Sequence, residues 1–253
     1  MAMAAKTPYQ YLPITEPDGI PLIVLRPAPD KAAPVQCSII HTTLRHAQEE
    51  IYEHYTALSY VWGNANDTSF ISVDGQHHLQ VTKNLECALR YLRDGKRVLR
   101  VWADGVCINQ QDDEEKGKQV QQMGRVYETV HHRVIFLGEC DEASEAVLTK
   151  MLSCYQKRVL YPKPDEGINV LKHILGHPWF YRIWILQELV MSHDPKVQFG
   201  QIRFPWRILS FLKTLFLDDM AQESIGYLPS PSVLYLKGAF EVVSHMNNAK
   251  MEL

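Results

Sequence analysis

Glu188 is the side chain whose neighbours in the sequence suggest the most specific chemistry. It lies four residues after Trp184 and seven after Tyr181, so the three side chains would share one face of a helix. A carboxylate beside apolar rings is partly desolvated, which strengthens its interaction with a cation such as an oxocarbenium-like sugar centre. The alternative is a structural role, in which Glu188 forms a salt bridge with Arg182 or Lys172 that anchors the helix.

A second polar group, Asp104, Asn109 and Gln110, follows the apolar run 98–102. Asp104 could hold ligand hydroxyls or orient Arg182, or it could close an Asx turn in its loop. The amides of Asn109 and Gln110 suit hydrogen bonds to a polar ligand, and for Asn109 the capping of the next helix is the favoured role.

A third group, Ser59, Tyr60, Trp62 and Gly63, ends the β-like run 55–63. The Ser59 hydroxyl is a candidate hydrogen-bond donor to a ligand. The rings of Tyr60 and Trp62 could stack on a flat ligand ring, or they could be core aromatics that need no ligand. Gly63 stops the strand and opens a turn-rich segment.

Several other chemistries lack their usual residues. The chain contains no Gly-x-Gly-x-x-Gly, no Gly-x-x-x-x-Gly-Lys and no Gly-x-Ser-x-Gly motif, which argues against the common oxidoreductase, triphosphatase and serine hydrolase sites. Cys107 has no histidine signature around it and is predicted to be a buried thiol. The doublets at 77–78 and 131–132 lack metal-ligand spacing, so we expect no metal site.

The elements that position these groups follow from periodicity. Residues 98–102 predict a central strand, and the acidic segment 112–115 predicts the cap and first turn of a helix, which together indicate a βαβ unit. In open α/β sheets, ligands bind at the carboxyl ends of such strands. The run 55–63 predicts a second strand, and 134–138 predicts a third, parallel strand.

The remaining segments are predicted from shorter signals. Residues 20–25 favour an edge strand, where proline is tolerated, paired with a strand at 35–44. A hairpin is expected at 73–75 and a helix at 85–92, each from its local pattern. Further along, we expect helices at 142–157, at 167–176 and from Pro178 to about 192, then a final strand at 197–199 and a helix at 206–219.

Composition limits the class of protein. The chain has 253 residues, 46% of them hydrophobic, and a net charge of −3, which gives no electrostatic footprint for nucleic acid. No apolar run approaches the roughly 18 to 20 residues that span a bilayer. The five cysteines are odd in number and form no Cys-x-x-Cys pair, so we expect reduced thiols and a cytoplasmic protein.

Three ordered blocks resemble the fungal heterokaryon-incompatibility (HET) domain. They are Tyr55-x-Ala-Leu-Ser-Tyr-Val-Trp-Gly63, then Val101-Trp-Ala-Asp-Gly-Val-Cys-Ile-Asn-Gln110, then Arg182-x-Trp-x-x-Gln-Glu188. The resemblance covers roughly residues 50–208. One departure is Gly105, where the family more often has alanine.

The resemblance implies a cytosolic effector domain that triggers cell death after non-self recognition. The family is thought to be distantly related to Toll/interleukin-1 receptor (TIR) domains, so the expected fold is a flavodoxin-like, three-layer α/β core with a mainly parallel central sheet. Some TIR domains hydrolyse NAD with a glutamate in a Trp-Cys-x-x-Glu-Leu context. The segment Trp184-Ile-Leu-Gln-Glu188-Leu189 is similar, with isoleucine in place of cysteine. By this analogy Glu188 is the catalytic carboxylate, and the substrate-binding residues are Ser59, Tyr60, Trp62, Gly63, Asp104, Asn109, Arg182 and Trp184.

NAD is then a substrate, and no cofactor is expected. The implied partners are further copies of the chain, assembled on activation, and an upstream non-self-recognition protein or domain. The alternative is a non-catalytic signalling module that oligomerises and recruits partners, and a transferase using the same bond cleavage also stays open. The expected domains are an N-terminal β-rich extension (1–49), the HET domain (50–208) and a C-terminal helical extension (209–253).

Overall fold

The computed structural model describes residues 7–50, 54–130, 132–159, 162, 164–182, 188–189, 194–209, 241 and 243–246. The chain divides into two compact units, Met1–Phe136 and Leu137–Leu253, each with its own helices and strands. The predicted α/β class is confirmed. Within the described ranges, no helix is long and apolar enough to cross a membrane.

The N-terminal unit contains eight described strands and four described helices. The strands are β1 (Thr7–Pro8), β2 (Gly19–Leu25), β3 (Gln36–Thr43), β4 (Thr56–Ser59), β5 (Thr68–Val73), β6 (His77–Thr82), β7 (Leu99–Trp102) and β8 (His132–Phe136). The helices are α1 (Leu44–Glu49), α2 (Lys83–Leu92), α3 (Asp104–Cys107) and α4 (Asp113–Thr129).

The eight strands form a mixed sheet in the order β1-β6-β5-β3-β2-β7-β4-β8. The pairs β1–β6, β3–β5, β4–β7 and β4–β8 are parallel, whereas β2–β3, β2–β7 and β5–β6 are antiparallel. The three strands predicted to carry or flank the site, β7, β4 and β8, are adjacent and parallel, which confirms the third parallel strand. Their carboxyl ends therefore lie along one edge of the sheet.

Strand β2 is an interior strand, so the prediction of an edge strand at 20–25 was wrong. It pairs with β3 along its whole length and with β7 through Ile23, Val24 and Leu25. Pro21 is tolerated because the pairing with β7 starts two residues after it, so β2 has a single neighbour at that point. The predicted pairing of 20–25 with 35–44 is confirmed.

Local signals were reliable in three places. The hairpin β5–β6 turns at Asp74 and Gly75, which both have positive φ, as an Asp-Gly turn requires. Helix α2 buries the four predicted residues Leu85, Ala88, Leu89 and Leu92. Asp112 caps α4 by accepting hydrogen bonds from the backbone N–H groups of Glu114 and Glu115.

Helix α4 is packed on the sheet through aromatic and cationic contacts. The fully buried Trp102 of β7 meets Tyr127 of α4 edge to face, with ring centroids 5.5 Å apart. The guanidinium of Arg133, on β8, lies 4.3 Å from the centre of the Tyr127 ring and donates to the Tyr127 carbonyl oxygen at 2.9 Å. The Tyr55 hydroxyl donates to the carbonyl oxygen of Val126 at 2.6 Å. These contacts fix the helix that follows the Asp104 loop.

The C-terminal unit contains the described helices α5 (Glu142–Lys157) and α6 (Pro164–Leu175) and the antiparallel hairpin of β9 (Lys196–Phe199) and β10 (Ile202–Pro205). Strand β9 was predicted as the final strand, but β10 follows it after a turn at Gly200, whose positive φ permits the reversal. Helical residues begin again at Arg207, and most of the helix predicted at 206–219 lies outside the described residues.

The continuous helix predicted from Pro178 does not form. Residues Pro178–Tyr181 make a single 3₁₀ turn, and Arg182 then adopts an extended conformation (φ −80°, ψ 142°). Proline suits the first position of either kind of helix, so its presence did not distinguish them. Tyr181 therefore does not share a helical face with Glu188, although Glu188 and Leu189 are themselves helical.

Candidate functional site

The predicted strand-end residues Trp62 and Asp104 meet in the N-terminal unit. The indole Nε1 of Trp62 donates to Asp104 Oδ2 at 2.8 Å, and the backbone N–H of Gly105 donates to Asp104 Oδ1 at 2.8 Å. The parallel pairing of β4 with β7 brings the two segments together, because both strands end at the same edge. Asp104 thus accepts from the backbone N–H of the next residue and also orients an aromatic ring.

Gly63 and Asn84 hold the backbone around Trp62. The Asn84 amide donates to the carbonyl oxygen of Val61 at 3.1 Å. Gly63 has a φ of +76°, and a Cβ at this position would lie 2.7 Å from Asn84 Nδ2. Only glycine satisfies both the left-handed backbone and this close approach. The predicted site residue Gly63 is therefore needed to place Trp62, whatever else it does.

Tyr60 and Ser59 are inside the fold. Tyr60 is 3% exposed and Ser59 is 1% exposed. The Tyr60 hydroxyl lies against Gly105, where an added Cβ would be 2.5 Å from it. Tyr60 therefore forms part of a wall next to the Asp104 loop, whereas Trp62 stands at the surface with 39% exposure.

Asn109 and Gln110 stabilise the loop after α3. Asn109 Oδ1 accepts from the backbone N–H of Gln111 at 3.1 Å, which is a turn contact, while Asp112 caps the helix. Gln110 Nε2 donates to the carbonyl oxygens of Asp104 (3.0 Å) and Ile108 (3.3 Å). Both amides hold the loop, and Gln110 also lines the cavity described next.

A cleft of about 580 Å³ opens beside these residues. Its walls come from the ends of β4 and β7, from one face of the hairpin β5–β6 and from the N-terminal segment at Pro8 and Tyr9. This volume is in the range of small-molecule sites. Of the sequence-predicted site residues, Tyr60 and Trp62 line the cleft. Asp104 is connected to the cleft indirectly, because it is hydrogen-bonded to two residues that line it, Trp62 and Gly105.

The hairpin side of the cleft was missed from the sequence. Phe70, His78 and Gln80 line it, and Phe70 is 59% exposed. A signal was present: Phe70 and Ile71 are neighbours in one strand, so one of them has to face away from the core. Ile71 is buried, and Phe70 is the residue that faces outward.

Cys107 is a structural thiol, as predicted. It is fully buried, and its Sγ accepts from the backbone N–H of Ala103 and donates to the carbonyl oxygen of Val101. Burial raises the pKa of the Cys107 thiol to about 12, so the reactive thiolate is scarce at neutral pH. In the part of the chain that the structure describes, no three His, Cys, Asp or Glu side chains are grouped to hold a metal ion.

Glu188 lies in the C-terminal unit and is paired. Arg182 Nη2 lies 3.2 Å from Glu188 Oε1, and Arg182 Nη1 donates to Glu188 Oε2 at 3.4 Å. The Glu188 side chain is 1% exposed and the Arg182 side chain 19%. This two-point pairing is the arrangement by which a buried carboxylate avoids the cost of desolvation. Trp184, the remaining predicted site residue, lies outside the described residues.

Fold and site together define an α/β domain with an aromatic cleft at the carboxyl ends of its parallel strands. The chain belongs to the heterokaryon-incompatibility family: residues 55–188 match the family model described as "Heterokaryon incompatibility protein (HET)". It is 32% identical to "Heterokaryon incompatibility protein 6, OR allele" of Neurospora crassa, with 70% of this chain and 33% of that protein covered. The chain thus spans about a third of the length of that relative. No solved structure matches it.

Proposed function

We propose that this chain is the cell-death effector part of a fungal, cytoplasmic non-self-recognition protein. The observation that carries the proposal is membership of the heterokaryon-incompatibility family, whose match spans all three sequence blocks of the site. The Neurospora relative, named as a heterokaryon incompatibility protein, supports the same role. An upstream recognition protein or domain would activate the effector, and self-assembly of the chain would accompany activation.

The effector step that we propose is hydrolysis of NAD to nicotinamide and ADP-ribose. Support comes from the spatial order β7-β4-β8, in which the strand that comes first in the chain lies between the other two. Flavodoxin-like folds, to which TIR domains belong, place their first three strands in the same way and bind ligands at the carboxyl ends. Trp62 and Asp104 lie at those ends in this protein.

The proposed hydrolysis of NAD requires one carboxylate from the protein. The bond between the nicotinamide nitrogen and ribose C1′ breaks, its electron pair returns to the ring, and nicotinamide leaves uncharged. Positive charge then develops on the ribosyl group, which an ionised Glu188 would stabilise. Water adds at C1′ and loses a proton, which gives ADP-ribose.

The ion pair between Arg182 and Glu188 has to open before this reaction can occur. Glu188 is 1% exposed, so Arg182 would have to turn away before the carboxylate could reach a sugar. Arg182 itself is partly exposed, and assembly on activation is one event that could draw it away.

The same ion pair favours a second candidate, a non-catalytic signalling module. A buried glutamate bound at two points by arginine is the arrangement expected of a structural anchor. In that case the domain would trigger cell death by recruiting partners through its surface.

Nicotinamide release from NAD distinguishes the two candidates. The purified 253-residue chain would be assayed over a wide concentration range beside Glu188→Gln, which keeps the shape of the side chain and removes its charge. Glu142→Gln, at the exposed start of α5, is the matched control. Release by the wild type and by the control, lost in Glu188→Gln with an unchanged circular dichroism spectrum, supports the hydrolase. Absence of release at every concentration, including those at which sedimentation shows oligomers, supports the signalling module.

A further inference from the structure

The cleft in the N-terminal unit is distinguished by the kinds of side chain that line it. Aromatic, imidazole, amide, hydroxyl and aliphatic side chains make its walls, and the described residues that line it include no Asp, Glu, Lys or Arg. The ring-bearing side chains include Tyr9, Tyr60, Trp62 and Phe70. Such a surface suits a flat, uncharged, aromatic group.

This lining decides which part of a dinucleotide could enter. A pyrophosphate needs cationic side chains or a helix N-terminus, and the positively charged nicotinamide ring of NAD gains from a nearby carboxylate. The N-terminus of α2 borders the cleft, but the Thr82 hydroxyl already accepts from the Leu85 N–H there. The Asp104 carboxylate beside the cleft is likewise already bound, to Trp62 and to the Gly105 N–H. The adenine ring carries no charge at neutral pH and needs neither. We propose that this cleft binds the adenine ring of the nucleotide substrate, with Trp62 as the stacking platform. This inference deepens the proposed function and rests on it for the identity of the nucleotide.

The protein already holds the Trp62 ring in a fixed position that is suited to stacking. Its ring is 39% exposed, and its Nε1 is tied to Asp104 at 2.8 Å. The positive φ of Gly63 and the contact from Asn84 to Val61 hold the backbone on either side of it. A ring that is already fixed loses little conformational entropy when it binds a base.

Two glutamines supply the groups that would recognise an amino-purine edge. Gln110 uses its Nε2 on the carbonyl oxygens of Asp104 and Ile108. Gln80 uses its Nε2 on Thr68 Oγ1, at 2.7 Å. Each amide is thereby oriented with its nitrogen toward a protein acceptor, and its carbonyl oxygen is the atom that we expect to accept from the adenine 6-amino group.

The opposite wall adds a second exposed ring. Phe70 is 59% exposed and meets His78 edge to face, with ring centroids 5.1 Å apart. Because both side chains project from the hairpin β5–β6, the cleft has aromatic groups on the hairpin as well as on the strand ends.

Calorimetric titration of the full chain tests this assignment with adenosine, AMP, ADP-ribose and nicotinamide mononucleotide as separate probes. We expect adenosine, AMP and ADP-ribose to bind with dissociation constants within about threefold of one another, since none of the described residues that line the cleft is a lysine or an arginine that would bind a phosphate. For the same reason, raising the salt should change these constants by less than about twofold. Nicotinamide mononucleotide should bind more weakly than AMP.

Variants identify the ring. Base stacking on an aromatic side chain predicts at least about fivefold weaker adenosine binding in Trp62→Ala. Trp62→Phe keeps a ring without the bond to Asp104 and should recover part of the loss. Tyr181→Ala, which removes a 66% exposed aromatic residue of the C-terminal unit, is the control and should bind as wild type does. Unfolding midpoints verify that each variant is folded.

The results separate this inference from the proposed function. Adenosine binding that needs Trp62, without nicotinamide release, would leave the adenine site standing and remove the hydrolase. Nicotinamide release with no adenosine binding, and with the same KM in Trp62→Ala, would overturn the adenine site alone. Binding that requires phosphates and weakens steeply with salt would also overturn it.

Discussion

We expect mild acid to destabilise the C-terminal unit through His177. The ring caps the 3₁₀ turn Pro178–Tyr181, because His177 Nδ1 accepts from the backbone N–H of Trp179 at 3.2 Å. Next to it, Trp179 is fully buried and packs against Phe180 and Trp206. Burial lowers the pKa of His177 from 6.5 to about 4. Protonation would place a hydrogen on the nitrogen that has to accept, so it would break the cap as well as bury a charge.

The direction and the size of this change in stability follow from proton linkage. The unfolded chain takes up this proton near pH 6.5 and the folded chain only near pH 4, so the unfolded state binds more protons between these values. The stabilisation from the neutral ring is therefore complete above pH 6.5 and is lost as the pH falls toward 4. The full difference in pKa corresponds to at most about 3.4 kcal/mol. Since the ring is only half-buried, solvent screening reduces this, and we expect about 1.5 kcal/mol.

The assay compares the wild type with His177→Asn in urea unfolding followed by tryptophan fluorescence at pH 7.5, 5.5 and 4.5. Asparagine can accept the same cap hydrogen bond but does not titrate. The free energy of unfolding of the wild type should fall by about 1.5 kcal/mol more than that of the variant over this range. Because other histidines and carboxylates titrate in both proteins, the difference isolates His177. Parallel pH curves for the two proteins would refute the role assigned to its burial and cap.

Two further predictions concern packing. Gly200→Ala should lower the free energy of unfolding by about 2–4 kcal/mol, because the residue has a φ of +56° and a Cβ would lie 2.6 Å from Cys140 Cβ. The matched control is Gly117→Ala, which adds a methyl group in open space on α4. Chemical denaturation should detect no loss of stability in that control. Cys107 should resist iodoacetamide in the native protein at pH 8 while the half-buried Cys87 reacts, since Cys107 is fully buried and its pKa is raised to about 12. Peptide mass spectrometry measures the order of labelling, and early labelling of Cys107 would contradict this prediction.

The sequence was most informative where structure depends on neighbouring residues. The Asp74–Gly75 turn, the buried face of α2 and the Asp112 cap are each determined within one or two turns of chain, and their patterns predicted them. The parallel strands around Asp104 were also predictable, because short apolar runs bounded by glycine or polar residues are typical of buried parallel strands. Trp62 and Asp104 were correctly assigned to strand ends.

The predictions that failed concern features that depend on contacts between residues far apart in the sequence. The interior position of β2 results from its pairing with β7, some 75 residues later, and no local pattern encodes it. The break at Arg182 depends on a 3₁₀ turn whose core residue, Trp179, packs against Trp206. The hairpin wall of the cleft is likewise created by folding, when Phe70 is brought opposite residues of the strand ends.

Gly105 is a residue at which the sequence determines the shape of the cleft directly. A Cβ at this position would lie 2.5 Å from the Tyr60 hydroxyl and 3.0 Å from Leu85 Cδ2, and all three residues line the cleft. Tyr60 is 3% exposed, so its ring cannot swing into solvent without opening the core. An alanine here would therefore displace Tyr60 within the wall of the cleft. The glycine avoids this displacement, so Gly105→Ala should change the shape of the cleft.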